Sequence, residues 1–305
     1  MRDETAEAAQ ALRTGRLVIL PTETVYGLAA DAANPAAVAA LYEAKGRPRF
    51  NPLIAHVSDL AAAVRIADLD ERARTLAAAF WPGALTVVAK ALHDSPVCDL
   101  ARAGLDTLAV RVPAHPLARK VLEAFGGPIV APSANRSGRP SPTTLADAAS
   151  ETGAAAAVKL DGGPCRIGLE STVVALLDGP PRLLRPGAVT RAEIEALVGP
   201  LAEAEADARR SPGRLTRHYA PTAPLRLDAA GPRTGEAFLG FGPGPEGGFN
   251  LSPSRDLAEA AARLFACLRA ADTLAPTAIA VAPIPTIGLG EAINDRLRRA
   301  AGLVG

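Results

Sequence analysis

The chain is poor in cysteine, in aromatic residues and in long apolar runs. Its three cysteines, Cys98, Cys165 and Cys267, are odd in number, far apart and without a CxxC pair. They supply neither a disulfide framework nor a metal-ligand spacing, and they suit a reducing compartment. The first apolar run, LVIL at 17–20, is far too short to span a bilayer. The opening MRDETAEAAQ carries acids where a secretory signal needs cations and then an apolar stretch, so a cytoplasmic location and no membrane partner are expected. A formal net charge of +1 excludes a surface built to coat polyanions, and any basic site must be local. Aromatics at 4% add to the case against a double-stranded RNA-binding module and leave weak RNA binding as an open expectation.

Several reaction signatures are missing as well. No GxxxxGK[ST] phosphate loop, HExxH zinc motif or GxSxG nucleophile elbow occurs. GPGPEG at 242–247 has the letters of a dinucleotide fingerprint, but it leads into GGFNLSPS rather than a helix. Without a helix N-terminus to receive a pyrophosphate it reads as a loop. A protein of this composition that handles phosphates must do so with side chains.

What is present is an α/β pattern in a chain of 305 residues, long enough for two domains. Strands are expected at 16–20, 52–57, 85–92, 107–113, 128–133, 156–162, 171–177 and 182–186. Helices are expected near 4–14, 35–44, 58–67, 70–80, 115–125, 143–151 and 190–198. Asn34 before Pro35, and Thr190 with Glu193, are helix-start signals. From about residue 199 the pattern breaks into GPLAEAEADARRSPGRLTRHYAPTAPL, rich in proline and arginine, which reads as a linker or a long functional loop. Strands at 225–227, 237–241 and 278–285, with helices at 254–273 and 290–301, then suggest a small second α/β domain. The expected architecture is a twisted mixed sheet in residues 1–208, a linker and active-site lid at 209–224, and a smaller, Rossmann-like α/β domain at 225–305.

Polar groups gather at the ends of the expected strands. PTETVYGLAADA places Thr22, Glu23 and Thr24 directly after the first one. KGRPRFNPLIAH carries Lys45, Arg47, Arg49 and Asn51 at the mouth of the next, and its lone His56 could equally be an ordinary strand residue. PIVAPSANRSGRPSPTT opens into Ser133, Asn135, Ser137 and Ser141, small polar groups suited to phosphate oxygens or metal-bound water. GLEST and LLRPG add Glu170, Ser171, Thr172 and Arg185. Arg111 stands inside the apolar LAVRVP, where an unpaired guanidinium is costly, so it needs an anionic partner. That partner is either a structural Glu or a substrate carboxylate. Taken together, these strand ends describe a site for an anionic, polyphosphate-bearing substrate.

PTETVYGL, KGRPxxNPL, WPGALT, GLDTLAVRVPAHP, PIVAPSANxSGxPSPT, GLESTVV and LLRPG, in this order, resemble the YrdC-like family of threonylcarbamoyl-AMP synthases. SPGRLTRHYAP and GLGEAINDRLRRAA resemble the long, two-domain form of that family, in which Met-Lys-Tyr is commoner at the positions of Arg214, Leu215 and Thr216. The resemblance implies a nucleotidyltransferase that joins L-threonine, bicarbonate and ATP into threonylcarbamoyl-AMP and pyrophosphate, for threonylcarbamoyladenosine in tRNA. It implies threonine-binding positions at Thr24, His56, Arg111, Ala131 and Ser171. ATP-binding positions fall on Arg47, Asn51, Thr107, Ser133, Ser141, Arg185 and Tyr219, and the catalytic signature on Lys45, Arg47, Ser133 and Asn135. It further implies Mg²⁺ carried by the nucleotide rather than in a protein cage, and downstream tRNA threonylcarbamoyl transferase proteins as partners. A hydrogenase-maturation carbamoyltransferase contains a similar domain, but its CxxC zinc fingers and acylphosphatase segment are absent here.

Overall fold

The computed structural model describes residues 3–203, 218–244 and 248–303. Eleven strands of the N-terminal part form one mixed sheet. In chain order the elements begin with α1 (Glu4–Arg13), β1 (Leu17–Leu20), β2 (Gly27–Asp31), α2 (Pro35–Lys45) and β3 (Ile54–His56). They continue with α3 (Leu60–Ala63), β4 (Ala67–Asp68), α4 (Glu71–Phe80), β5 (Leu85–Ala91), α5 (Asp99–Arg102) and β6 (Thr107–Arg111). Next come α6 (Pro116–Phe125), β7 (Ile129–Val130), α7 (Leu145–Thr152), β8 (Ala156–Lys159), β9 (Thr172–Ala175), β10 (Arg182–Arg185), α8 (Arg191–Val198) and β11 (Ala202–Glu203). The sheet order is β11-β10-β9-β5-β6-β3-β7-β2-β1-β8, with β4 attached to β5. Parallel and antiparallel neighbours alternate irregularly; β3 and β6 are parallel, while β5 and β6 are antiparallel.

The C-terminal part holds β12 (Leu225–Arg226), β13 (Glu236–Gly240), β14 (Phe249–Asn250), α9 (Leu257–Asp272), β15 (Ala278–Val281) and α10 (Leu289–Ala300). Its four strands are all parallel, in the order β12-β15-β13-β14. The α9 stripe that includes Ala261, Leu264, Phe265 and Leu268 is fully buried against this sheet. The two parts are not independent. Val25 and Leu169 of the first lie in the same buried cluster as Leu264 and Phe265 of the second. Gly168, at φ +75°, allows a close approach of the two, since a Cβ there would sit 2.5 Å from the Cα of Ala262 on α9.

The structure redraws some expected elements. The segment after β1 is not only a polar turn, because Gly27–Asp31 returns as β2 in a hairpin with β1. GLAAD has no β-branched residue, so tertiary pairing overrides its weak strand propensity. The helix expected at 58–67 is a single turn, Leu60–Ala63, after which Ala67–Asp68 pairs with β5. The strand expected at 278–285 stops at Val281, where Pro283 and Pro285 offer no N–H to a ladder. The short α5, β11 and β14 have no sequence expectation behind them. The loop at 242–244 leads to β14 rather than a helix, and the rest of GPGPEG, 245–247, lies outside the described residues. So does most of the expected linker, 204–217.

Candidate active site

One cavity gathers the strand ends. Thr24 follows β1, and its hydroxyl shares a hydrogen bond of 2.8 Å with that of Thr22. His56 and Arg111 close the parallel strands β3 and β6 in register with each other. Ala131 and Ser133 follow β7, Ser171 precedes β9, and Arg185 ends β10. These residues line the cavity together with Arg47, Glu170, His218 and Tyr219. Nine of the residues named from the family resemblance thus meet in one place: Thr24, Arg47, His56, Arg111, Ala131, Ser133, Ser171, Arg185 and Tyr219.

The anion that Arg111 requires is a glutamate of the fold. Its Nη2 pairs with Glu23 Oε1, Nη1 donates to Thr24 Oγ1 at 2.9 Å and Nε donates to the Gly83 carbonyl at 3.0 Å. Glu23 Oε2 in turn accepts the backbone N–H groups of Ala114 and His115 at 3.0 and 3.2 Å. Although burial opposes it, the Arg111 charge and these hydrogen bonds hold the Glu23 carboxyl below its usual range. A guanidinium has five N–H groups. Three are engaged here, so two remain for a further acceptor.

His56 is buried, and its Nδ1 lies 3.1 Å from the Ile54 carbonyl. Desolvation first, and the Arg111 charge second, push its pKa down to about 3. The ring is therefore neutral at pH 7. A carbonyl can only accept, so Nδ1 carries the proton and Nε2 keeps a free lone pair.

Lys45 and Arg47 stand toward the other end of β3, whereas Arg185 is level with Arg111 across the sheet. Gly46 caps α2 in the left-handed conformation at φ +58° and turns the chain sharply after Lys45. The buried Lys45 Nζ donates to the Ser133 carbonyl at 2.5 Å and also to the Asn135 carbonyl. It therefore ties the Ser133–Asn135 loop to α2 from behind rather than lining the cavity. Burial, reinforced by Arg47, pushes the Lys45 pKa down to about 7. Arg47 donates to the carbonyls of Asn51 and Pro52 at 3.3 and 3.0 Å, and burial lowers its pKa to about 10. Arg185 donates to the Ser171 carbonyl at 3.1 Å and to its hydroxyl at 3.2 Å.

Four expected positions stand behind this lining. Asn51 is buried beneath Arg47 and meets it through its backbone carbonyl. Thr107 opens β6, at the Asn51 end of the paired strands and away from Arg111. The Ser141 hydroxyl donates to Glu170 Oε1. Asn135 Nδ2 holds the carbonyls of Arg136 and Arg139 at 2.7 and 3.0 Å, while its buried Oδ1 has no partner among the described residues. Arg49 is exposed.

Residues 218–220 form a strap that brings His218 and Tyr219 into the cavity lining. Tyr219 is buried at φ +62°, an unusual backbone for a non-glycine residue. It packs on Phe265 at 5.5 Å between centroids and under Arg296 at 5.3 Å. The strap is pinned by the His218 N–H to the Arg299 carbonyl at 3.3 Å and by the Ala220 N–H to the Gly138 carbonyl at 2.7 Å. His218 is neutral, since desolvation and then Arg47 drive its pKa well below the usual value. The remaining space is about 50 Å³, room for a few waters but not for a nucleotide. Arg296 is the residue that sequence reasoning missed. Its signal was position: it shares the stripe of Ile293, Leu297 and Ala300 on α10, where an apolar residue is ordinary.

Comparison with known proteins places this geometry. Residues 10–187 match the Sua5, YciO and YrdC family, described as "Telomere recombination", and residues 189–302 match "Threonylcarbamoyl-AMP synthase, C-terminal domain". The chain belongs to the Sua5-type threonylcarbamoyl-AMP synthase family. It is 40% identical to the threonylcarbamoyl-AMP synthase of Bacillus subtilis, over 97% of this chain and 92% of that one. It is also 40% identical to the Pyrococcus abyssi threonylcarbamoyl-AMP synthase, over 97% and 93%. The crystal structure of P. abyssi Sua5 complexed with L-threonine superposes with a TM-score of 0.91, at 38% identity, over 99% of this chain and 96% of that one. Both units of this Sua5-type chain, the YrdC-like mixed sheet and the parallel C-terminal sheet, are accounted for by these matches.

Proposed function

We infer that this cavity carries out the reaction of the family: L-threonine, bicarbonate and ATP give threonylcarbamoyl-AMP and pyrophosphate, the donor for threonylcarbamoyladenosine in tRNA. The observation that carries the reading is the cradle itself: the Arg111 fork and neutral His56 stand at one end of β3 and β6, Arg47 stands toward the other end of β3 with Lys45 behind it, and Arg185 enters beside Ser171. The two open N–H groups of Arg111 take the threonine carboxylate, and Glu23 fixes the plane of the fork. His56 Nε2 can accept from the threonine amine or hydroxyl, with Thr24 and Ser171 beside it and Ala131 leaving room for the side chain.

The neutral amine adds to bicarbonate, a C–N bond forms and water leaves, giving a carbamate. A carbamate oxygen then attacks the α-phosphorus of ATP, and the bond to pyrophosphate breaks. No covalent enzyme intermediate is needed, in keeping with the missing nucleophile motifs. The protein's share is positioning and charge stabilisation. Arg47 and Arg185 neutralise phosphate oxygens, Ser133 completes the nucleotide side of the lining, and Asn51, Thr107 and Ser141 support that side from behind. An approaching polyphosphate restores the Lys45 charge that burial weakens.

Among the described residues no cluster of three His, Cys, Asp or Glu could cage a metal. Mg²⁺ fits as an ion brought by the nucleotide, because the Ser133 hydroxyl and the unpartnered Asn135 Oδ1 are hard oxygen donors. When bound it supplies further neutralisation of the polyphosphate. The strap carrying His218 and Tyr219 must withdraw to admit ATP and re-close to exclude water from a reactive mixed anhydride, which gives segment 209–224 a lid's role between the units 1–208 and 225–305. No described helix is long and apolar enough to cross a membrane. A cytoplasmic setting, with tRNA threonylcarbamoyl transferase proteins taking up the product, completes the proposal. The test is ATP–pyrophosphate exchange: it should require both threonine and bicarbonate, and exchange in the absence of threonine would refute the assignment.

A further inference from the structure

The C-terminal unit reaches the cavity with a charge that belongs to neither end of the cradle. Arg296 on α10 is wholly buried. Its Nε donates to Glu170 Oε2 at 2.8 Å, its Nη1 pairs with Asp295 at 2.6 Å, and its guanidinium lies over the Tyr219 ring. Arg299 closes the group by donating to Asp295 at 3.0 Å. Two acids and two arginines therefore cancel in a buried cluster. Glu170 is the member that lines the cavity, and its other oxygen receives the Ser141 hydroxyl.

A carboxylate is the wrong sign for a cavity that takes a polyphosphate. Without Arg296 it would keep only the pull of Arg185, and the cluster would turn a net negative charge toward the incoming nucleotide at low effective dielectric. A buried arginine is also expensive to desolvate, so an apolar residue at position 296 would be the simpler way to dock α10. We propose that Arg296 is a positioning residue that neutralises Glu170 from the C-terminal unit, so that the carboxylate can hold Ser141 without repelling the ATP phosphates. This rests on the reading of the cavity as an ATP site. It gives the second unit a direct part in nucleotide binding besides anchoring the strap.

The test is Arg296→Met, which keeps the length of the stem and its contact with Tyr219. Affinity for α,β-methylene ATP, which cannot be cleaved at the α-phosphorus, should fall about tenfold or more, the equivalent of about 1.4 kcal/mol. Threonine binding without nucleotide should stay within about twofold of wild type. The double variant Glu170→Gln with Arg296→Met should return nucleotide affinity to within about threefold of wild type, because the repulsive charge leaves with its partner. Should the single variant not fold, the double variant still separates charge pairing from a structural clamp, since Asp295 keeps Arg299. Unchanged nucleotide affinity in the single variant, or a double variant as weak as or weaker than a tenfold loss, would overturn the proposal. A plain structural clamp predicts no rescue. A wild type that binds the analogue with this dependence on Arg296, but makes no product, would refute the reaction and leave the charge pairing standing.

Discussion

His56→Gln should make the stability of the protein less sensitive to acid. In the fold the imidazole has a pKa of about 3, lowered by desolvation and then by Arg111, against an ordinary value of 6.5 in the unfolded chain. The unfolded chain therefore binds more protons between these limits, and stability rises with pH through the window and falls as pH drops from about 6.5 toward 3. At about 1.36 kcal/mol per pH unit, the full gap corresponds to about 5 kcal/mol. Between pH 6 and 5 the wild type should lose about 1.2 kcal/mol more than the variant. Urea unfolding followed by circular dichroism at pH 7, 6 and 5 measures this. Glu23 and the other carboxylates are present in both proteins, so the difference in slope isolates the ring. Equal slopes would refute a buried neutral His56, and with it the lone pair assigned to Nε2 in threonine recognition.

Arg111→Leu should destabilise the fold by about 3–5 kcal/mol, because it strands the buried Glu23 carboxylate, and should abolish threonine binding by calorimetry. Adding Glu23→Gln should recover stability but not binding, and threonine binding by either variant would contradict the clamp. Tyr219→Ala should lower threonylcarbamoyl-AMP formation while the circular dichroism of the fold is retained. Unchanged product formation would remove the lid from the account.

The sheet and its polar strand ends were legible because LVIL, LTVV, TLAV and TVVA carry strand composition and sit beside residues whose chemistry is conspicuous. Arg111 announced its need for an anion, though not which one. Both Glu23 and a substrate carboxylate fit that need, and the fold chooses Glu23 while leaving two donors over. Elements set by tertiary pairing were invisible: β2 is mostly alanine and glycine, and its strand state comes from β1 and β7 on either side. Asn51, Thr107 and Ser141 were named from a motif and stand behind the cavity lining, a difference of side-chain direction that spacing alone does not encode. Arg296 escaped because its partner, Glu170, lies 126 positions earlier in the chain, and no local pattern joins them.

The central claim is that this cavity activates threonine as an adenylate. Incubating the purified chain with ATP, Mg²⁺, L-threonine and isotopically labelled bicarbonate, then resolving the nucleotides by mass spectrometry, tests it directly. The account predicts threonylcarbamoyl-AMP carrying the bicarbonate carbon, with one pyrophosphate released per product. ATP bound and threonine bound with no labelled adenylate formed, or AMP released equally without threonine, would contradict it.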